Sequence, residues 1–229
     1  RLLELLGEGP AFQQLSDLAE RSGMSLPTVH RLLRSLVLAD LAVQDPQSSR
    51  YGLGPELTRL AGHYLARLPL LGALGPYLSP LHDELSTTLY VVTLVHGEVV
   101  YVDRVDGPSA GPYRDTHRVH PALSTASGRL LAARAEDTAW QQALALTDDP
   151  EQAEAVRSRA DWAAAPLLAV APSDPTLHPE VAVPVIDGRG NAVAALSAAV
   201  ADPDAEGNKA VAASLSRAAR AAGRTLSHV

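Results

Sequence analysis

The sequence predicts an α+β fold in two parts: a small N-terminal helical domain closed by a hairpin, and a larger C-terminal domain built on antiparallel strands. Three observations carry this. Gln14 to Leu41, QLSDLAERSGMSLPTVHRLLRSLVLADL, has the apolar spacing of two short helices joined by a tight turn. Residues 42–53 have the composition of a short hairpin. From Thr88, and again over 181–200, the apolar period changes from that of a helix to that of a strand.

Taken in order, RLLELL at 1–6 is the end of a first helix, broken by Gly7-Glu8-Gly9-Pro10. On the next helix Leu15, Leu18 and Ala19 share a face, and Gly23 ends it, as glycine commonly does. Ser25 and Pro27 open another helix: a capping hydroxyl, then a residue whose missing N–H costs nothing in a first turn. Val29, Leu32, Leu33 and Leu36 follow the i, i+3, i+4, i+7 pattern and are expected inward. That leaves Thr28, His30, Arg31, Arg34 and Ser35 outside.

A helix with an apolar back and a front of Thr and Arg suits a DNA major groove. Arginine reads guanine edges bidentately, and hydroxyls reach bases or phosphates. Between Arg21 and Ala39 stand three arginines and no acid. The stretch is therefore expected to be a helix-turn-helix with its recognition helix at about 25–37. A plain helical hairpin in a core would show the same apolar pattern; residues 42–53 separate the two. Ala42-Val43-Gln44 reads as a strand, Asp45-Pro46-Gln47-Ser48-Ser49 as a turn, and Arg50-Tyr51-Gly52-Leu53 as a return strand. Such a wing places Arg50 near its tip, against backbone or minor groove. The expected partner is double-stranded operator DNA. The residues expected to meet it are Ser25, Pro27, Thr28, His30, Arg31, Arg34, Ser48, Ser49 and Arg50.

Bulk charge gives no support. The chain of 229 residues carries a net charge of −7. Residues 1–60 hold six arginines (1, 21, 31, 34, 50, 59) against seven acids (4, 8, 17, 20, 40, 45, 56). Any DNA affinity must come from local clustering, and a dimer is expected to be needed for useful binding.

Pro55 starts a linker helix with Leu57, Leu60, Ala61 and Tyr64 on one face, expected to pair with its twin in a homodimer. Pro69 and Gly72 interrupt it. A further helical stretch runs to about Ser86, with Pro76 and Pro80 marking its start or a kink. The expected domains are 1–54 for DNA, 55–75 as linker and 76–229 beyond. TLYVVTLV, the turn HGE and VVYVDRV form a hairpin, and 113–119 another strand. Ser124-Thr125-Ala126-Ser127-Gly128 precedes an apolar helix near Leu130–Arg134. Residues 148–160 read as a surface helix, and 161–180 as a breaker-rich loop. VAVPVID (181–187) and AVAALSAAV (192–200) pair across Gly188-Arg189-Gly190-Asn191. A last helix, about 206–226, turns Val211, Leu215, Ala219 and Ala222 inward, with Arg217, Arg220 and Arg224 on its solvated face.

SLPTVHRLLRSL, a hairpin, and then RYGLGPEL resemble the N-terminal domain of the IclR family of bacterial transcription regulators. GEVVYVDRVDG (97–107) and the strand pair 181–198 resemble the C-terminal domain of the same family. The resemblance implies a winged helix-turn-helix, a linker helix, and a GAF-like α/β effector-binding domain on an antiparallel sheet. It implies a small-molecule effector, an organic acid or aromatic catabolite, and a homodimer or dimer of dimers on a pseudo-palindromic operator. It also implies which residues meet the effector: Ser124, Thr125, Ala126, Ser127, Glu180 and Ser197. A helix N-terminus at 124–128 would offer free N–H groups to a carboxylate. Three departures stand out. Glu180 replaces a common Cys, Ala199 a second pocket Ser, and Ala164-Ala165 the usual acids. The competing expectation is a degenerate regulator whose C-terminal domain only oligomerises. Either Glu180 points away, or a partner such as His178 or Arg114 neutralises it, or the effector is not a simple carboxylate; the last is expected, a ligand with a hydroxyl, amine or aromatic part that donates a hydrogen bond to Glu180.

Other classes find little support. The chain has no Cys, hence no disulfide, thiolate metal site or Cys nucleophile. His117, His120 and Asp115 are loosely spaced, and one exposed strand explains them better than a metal. There is no nucleophile elbow, P-loop, HExxH or dinucleotide fingerprint, so neither enzyme chemistry nor a cofactor is expected. Apolar runs are cut by Pro69, Gly72, Pro166 and Pro172, so no membrane association is expected. No signal peptide is visible, and a cytoplasmic location is the expectation. The chain begins at Arg1, so a few native residues are expected to precede it.

Overall fold

The computed structural model describes residues 1–108, 110, 119–172 and 177–227. They fall into two units, Arg1–Arg67 and Leu68–Val229.

The first unit contains α1 (Leu2–Gly7), α2 (Leu15–Ser22), α3 (Leu26–Leu38), β1 (Ala42–Gln44), β2 (Tyr51–Leu53) and α4 (Glu56–Ala66). Leu5, Leu18, Val29, Leu33, Ala42 and Tyr51 pack into one core. Gly23 ends α2 with φ +69°, a conformation that costs glycine little. β1 and β2 pair antiparallel as the expected wing, Val43 opposite Gly52. In the turn, Asp45 accepts hydrogen bonds from the Ser48 hydroxyl and from the Ser48 N–H at 2.9 Å. These hold its carboxyl below the usual carboxylate range.

Two local expectations need correction. Leu32 is 39% exposed, while Leu33 is fully buried. The inward stripe of α3 is Val29, Leu33 and, partly, Leu36 and Val37; it is narrower than the sequence pattern because α3 packs on small helices. Ser25 stands at the N-cap, but its hydroxyl meets the Thr28 hydroxyl at 2.8 Å and caps no backbone N–H.

The linker region also differs. α4 stops at Ala66, and α5 (Pro69–Leu85) begins at Pro69, running through Gly72, Pro76 and Pro80. Proline supplies a first-turn position at its start. Burial of Leu70, Ala73, Leu74, Leu78 and Leu81 offsets the backbone bonds that the two internal prolines remove.

The second unit is organised by a six-stranded antiparallel sheet. Its strands are β3 (Leu89–Val95), β4 (Glu98–Val105), β5 (Val119–Pro121), β6 (Leu168–Val170), β7 (Glu180–Ile186) and β8 (Ala192–Ala199), in the order β5-β4-β3-β8-β7-β6. β3 and β4 turn at His96-Gly97, both with positive φ, the geometry of a tight hairpin. α6 (Ala126–Arg134), α7 (Asp137–Ala145) and α8 (Asp149–Ala164) serve one face. There Tyr90, Val92, Tyr101 and Ala195 join Leu123, Leu131, Trp140 and Trp162. The opposite face carries Val181, Val183, Leu196 and Ala198, all buried; α5 and α9 (Asn208–Leu226) lie with it. α9 buries Leu215, Ala219 and Ala222 as expected and turns Arg217, Arg220 and Arg224 outward. α7 and β6 are elements that the sequence pattern does not announce. The expected strand at 113–119 lies outside the described residues but for Val119, which opens β5.

Candidate functional site

α3 presents its polar front to solvent. Ser25, Pro27, His30, Arg31 and Arg34 are exposed and Thr28 half-exposed; on the wing Ser48, Ser49 and Arg50 are exposed. The charges of this unit sort themselves. Arg1 lies 3.3 Å from Glu4, Arg21 lies 2.7 Å from Glu8, and Arg59 pairs with Glu56. Arg31, Arg34 and Arg50 have no such partner among the described residues. Three of the unit's seven arginines are thus internally neutralised; Arg31 and Arg34 stand on α3, Arg50 on the wing and Arg67 at the end of α4. A domain of near-zero net charge therefore keeps a local positive face.

Arg21, the first of the three arginines in the acid-free stretch, is engaged within the unit. It donates to Gln13 Oε1 at 2.7 Å, and Gln13 Nε2 in turn donates to the carbonyls of Leu5 (2.8 Å) and Glu8 (2.9 Å). Gln13 is buried and satisfies the orphan carbonyls at the end of α1. Nothing in the local sequence marks it, because its partners come from a preceding helix and a following one.

In the second unit the structure brings Ser127, Glu180 and Ser197 together. Glu180, at the start of β7, is 4% exposed. Its Oε1 accepts the Ser127 N–H at 2.7 Å and its Oε2 accepts the Ser197 hydroxyl at 2.8 Å. The Ser127 hydroxyl is wholly buried beside the same carboxyl without a well-formed bond to it, yet near enough to favour the charged form. Glu180 is therefore satisfied by the chain itself, and Ser197 donates to Glu180. No bond joins Glu180 to His178 among the described residues, and Arg114 lies outside them. Ser124 and Thr125 are drawn elsewhere. The Ser124 hydroxyl donates to the Pro121 carbonyl at 2.7 Å, and Thr125 Oγ1 accepts the Gly128 N–H at 3.0 Å as the N-cap of α6. Ala126 is buried and packs with Leu130 and Ala182.

The register extends this face. Tyr90 lies opposite Ser197 on β8 and opposite Arg104 on β4. A bulge between Val91 and Val92 lets Tyr101 and Arg104, three residues apart, both reach the Tyr90 side. Tyr90 and Tyr101 meet edge-on with centroids 5.2 Å apart, Tyr101 meets His120 edge-on at 6.1 Å, and the Arg104 guanidinium lies 5.7 Å from the Tyr90 ring. Sequence reasoning misses this aromatic row. Its signal is the alternation Tyr90, Val92, Leu94, obscured on β4 by the bulge. Of the weighed metal cluster, His120 belongs to this row, while Asp115 and His117 lie outside the described residues.

Burial pushes the Glu180 carboxyl up, opposed by hydrogen bonds from Ser127, Ser197 and Ala126, all neutral donors. The folded state then holds its proton to higher pH than the unfolded chain. This stability is fully present below the unfolded carboxylate value of 4.5 and is lost as pH rises through the folded value. Glu180→Gln, which fixes the protonated shape, is expected to match wild type below that pH and to exceed it increasingly above. Thermal midpoints of both proteins across pH test this; a constant offset would remove the shift.

Residues 1–46 match the family model described as the IclR helix-turn-helix domain. Over 133 residues the chain is 32% identical to the glycerol operon regulatory protein of Streptomyces griseus, covering 58% of this chain and 52% of that one. The chain thus spans about half the length of the curated relatives it matches. Two solved structures share the fold. The IclR family transcriptional regulator of Brucella abortus superposes with a TM-score of 0.79 at 19% identity, covering 96% of this chain and 88% of that one. An IclR homolog from Microbacterium hydrocarbonoxydans, complexed with 4-hydroxybenzoate, gives 0.69 at 21% identity, covering 100% and 97%. The helix-turn-helix match and the sheet architecture agree with the resemblance read from the residues: residues 1–46 match the helix-turn-helix domain of the IclR family, and the chain shares its fold with solved IclR regulators.

Proposed function

We propose that the chain binds operator DNA in a sequence-specific manner and regulates transcription, with a small molecule acting through the second unit. The observation that carries the first part is the sorting of arginines: Arg31 and Arg34 stand unpaired on the exposed face of α3, and Arg50 on the wing. α3 enters the major groove with Arg31 reading base edges, and Arg50 meets the backbone. A homodimer, or a dimer of dimers, binds a two-fold operator. α4 supports pairing: it buries no residue in its own unit and leaves Leu60 and Tyr64 exposed. The effector shifts operator affinity only through different affinities for two arrangements of the dimer. Its place is the sheet face of Tyr90, Tyr101 and Ser197 beside α6, and the 4-hydroxybenzoate complex of the Microbacterium homolog makes an aromatic compound a reasonable class to test.

Arg31→Ala is expected to lose about 1–3 kcal/mol of discrimination between operator and mutated operator, the worth of one bidentate base contact. Arg50→Ala is expected to weaken all sequences alike and to flatten the salt dependence by about one phosphate contact. Gel-shift competition with an operator selected from random DNA measures both. Unchanged operator preference in Arg31→Ala would reject α3 as the reading helix in this register.

The self-satisfied Glu180 favours a second reading, in which the C-terminal unit oligomerises and binds no effector. A thermal-shift screen of small metabolites separates the two. A saturable shift from any of them supports the sensor.

A further inference from the structure

We propose that Glu180 is a built-in occupant of an anion seat at the start of α6, so that the chain itself excludes small carboxylic acids from that position. This deepens the effector reading of the second unit and rests on it only for the location.

The seat has three polar groups from two distant parts of the chain. α6 supplies the Ser127 N–H, one of the donors that a helix start leaves without an intrahelical acceptor. β8 supplies the Ser197 hydroxyl. The Ser127 hydroxyl lies buried at the same place without a well-formed bond. Donors from a helix terminus and a hydroxyl converging on one point suit a carboxylate, favoured there by the aligned peptide dipoles as well. The side chain filling the point is itself a carboxyl group, with each oxygen on a separate donor. An acid arriving from solvent would have to displace it. Glu180 would then lose both hydrogen bonds inside a site only 4% exposed, and two carboxyl groups would crowd one place; both effects oppose entry. The neighbouring position opposite Glu180 on β8 is Ala199, which offers no further donor.

Shortening Glu180 should therefore reopen the seat to an exogenous acid. The experiment uses the full chain, with acetate, propionate and benzoate as probes and chloride at matched ionic strength as control. Glu180→Ala is expected to have a lower thermal midpoint than wild type and to regain it saturably with acetate or propionate. The expected rise is roughly 3–6 °C when the acid reaches ten times its dissociation constant. Wild type and Glu180→Gln, whose side chains fill the seat, are expected to show no saturable rise. Should Glu180→Ala be unfolded without acid, the same titration followed by far-UV circular dichroism reads acid-driven recovery of structure. A Glu180→Ala protein that none of the three acids stabilises or refolds overturns the proposal. So does a wild type stabilised by acetate as strongly as the variant. DNA does not enter this measurement, so a negative result leaves the operator reading standing, and a failed gel shift leaves the seat untouched.

Discussion

Leu33→Ala is expected to destabilise the N-terminal unit by about 2–5 kcal/mol, the range for removing a fully buried leucine side chain, and to abolish operator binding with it. Leu33 is wholly buried against Leu5, Leu18, Val29 and Tyr51. Its unit spans only 67 residues. So small a unit has a thin margin, since folded domains are held by only about 5–15 kcal/mol. Leu32→Ala, one position away, is expected to cost less than about 1 kcal/mol, because its side chain is 39% exposed and loses little buried area. Urea unfolding followed by circular dichroism, with gel shifts on the same samples, measures both. Equal losses for the two variants would mean that α3 is rotated by about a quarter turn from the orientation described, which would also turn Arg31 away from the groove.

That pair of leucines shows where the sequence is informative and where it stops. The periodic pattern places α3 and its polar front because both are local properties of one helix. It does not decide between Leu32 and Leu33, because the width of the buried stripe depends on what packs against it. Gly23, the wing turn and the Gly188–Asn191 turn are legible for the same local reason. Gln13 and Arg21 are not: a buried amide bridging α1, a loop and α2 has no pattern along the chain. α7 escapes because its buried face is only Trp140, Ala143 and Leu144. β6 is three residues in an Ala- and Pro-rich run. At the candidate effector site the sequence brings forward Ser127, Glu180 and Ser197, which the structure places together. It casts Glu180 as a group seeking an outside partner, whereas Ser127 and Ser197 satisfy it. That relation depends on the chain returning β7 to the start of α6 across a sequence separation of 53 residues.

The start of α6 yields the other large expected effect. Gly128→Ala should destabilise the C-terminal unit by about 2 kcal/mol or more, within the usual range for overpacking. Helix propensity alone argues the opposite sign, since replacing glycine by alanine within a helix usually gains up to about 1 kcal/mol. The surroundings decide otherwise. A β-carbon on Gly128 would lie 1.9 Å from the Ala122 carbonyl oxygen and 2.6 Å from the Ala122 α-carbon. Those are backbone atoms of the short 3-10 turn Ala122–Ser124, and they cannot rotate aside. Either α6 or that turn must shift, at the cost typical of overpacking, about 1–3 kcal/mol and sometimes more. A shift of α6 also carries the Ser127 N–H away from Glu180 and disturbs the Gly128 N–H bond to Thr125. Gly62 in α4 is the internal control: nothing lies within 4 Å of a β-carbon there, so Gly62→Ala should stabilise by about 0.4–1 kcal/mol. Thermal or urea unfolding of the two variants gives opposite signs if α6 approaches the 3-10 turn this closely. A gain in both proteins would show that the turn yields freely, and that the α6 start, with the carboxyl group seated on it, is not held rigidly in place.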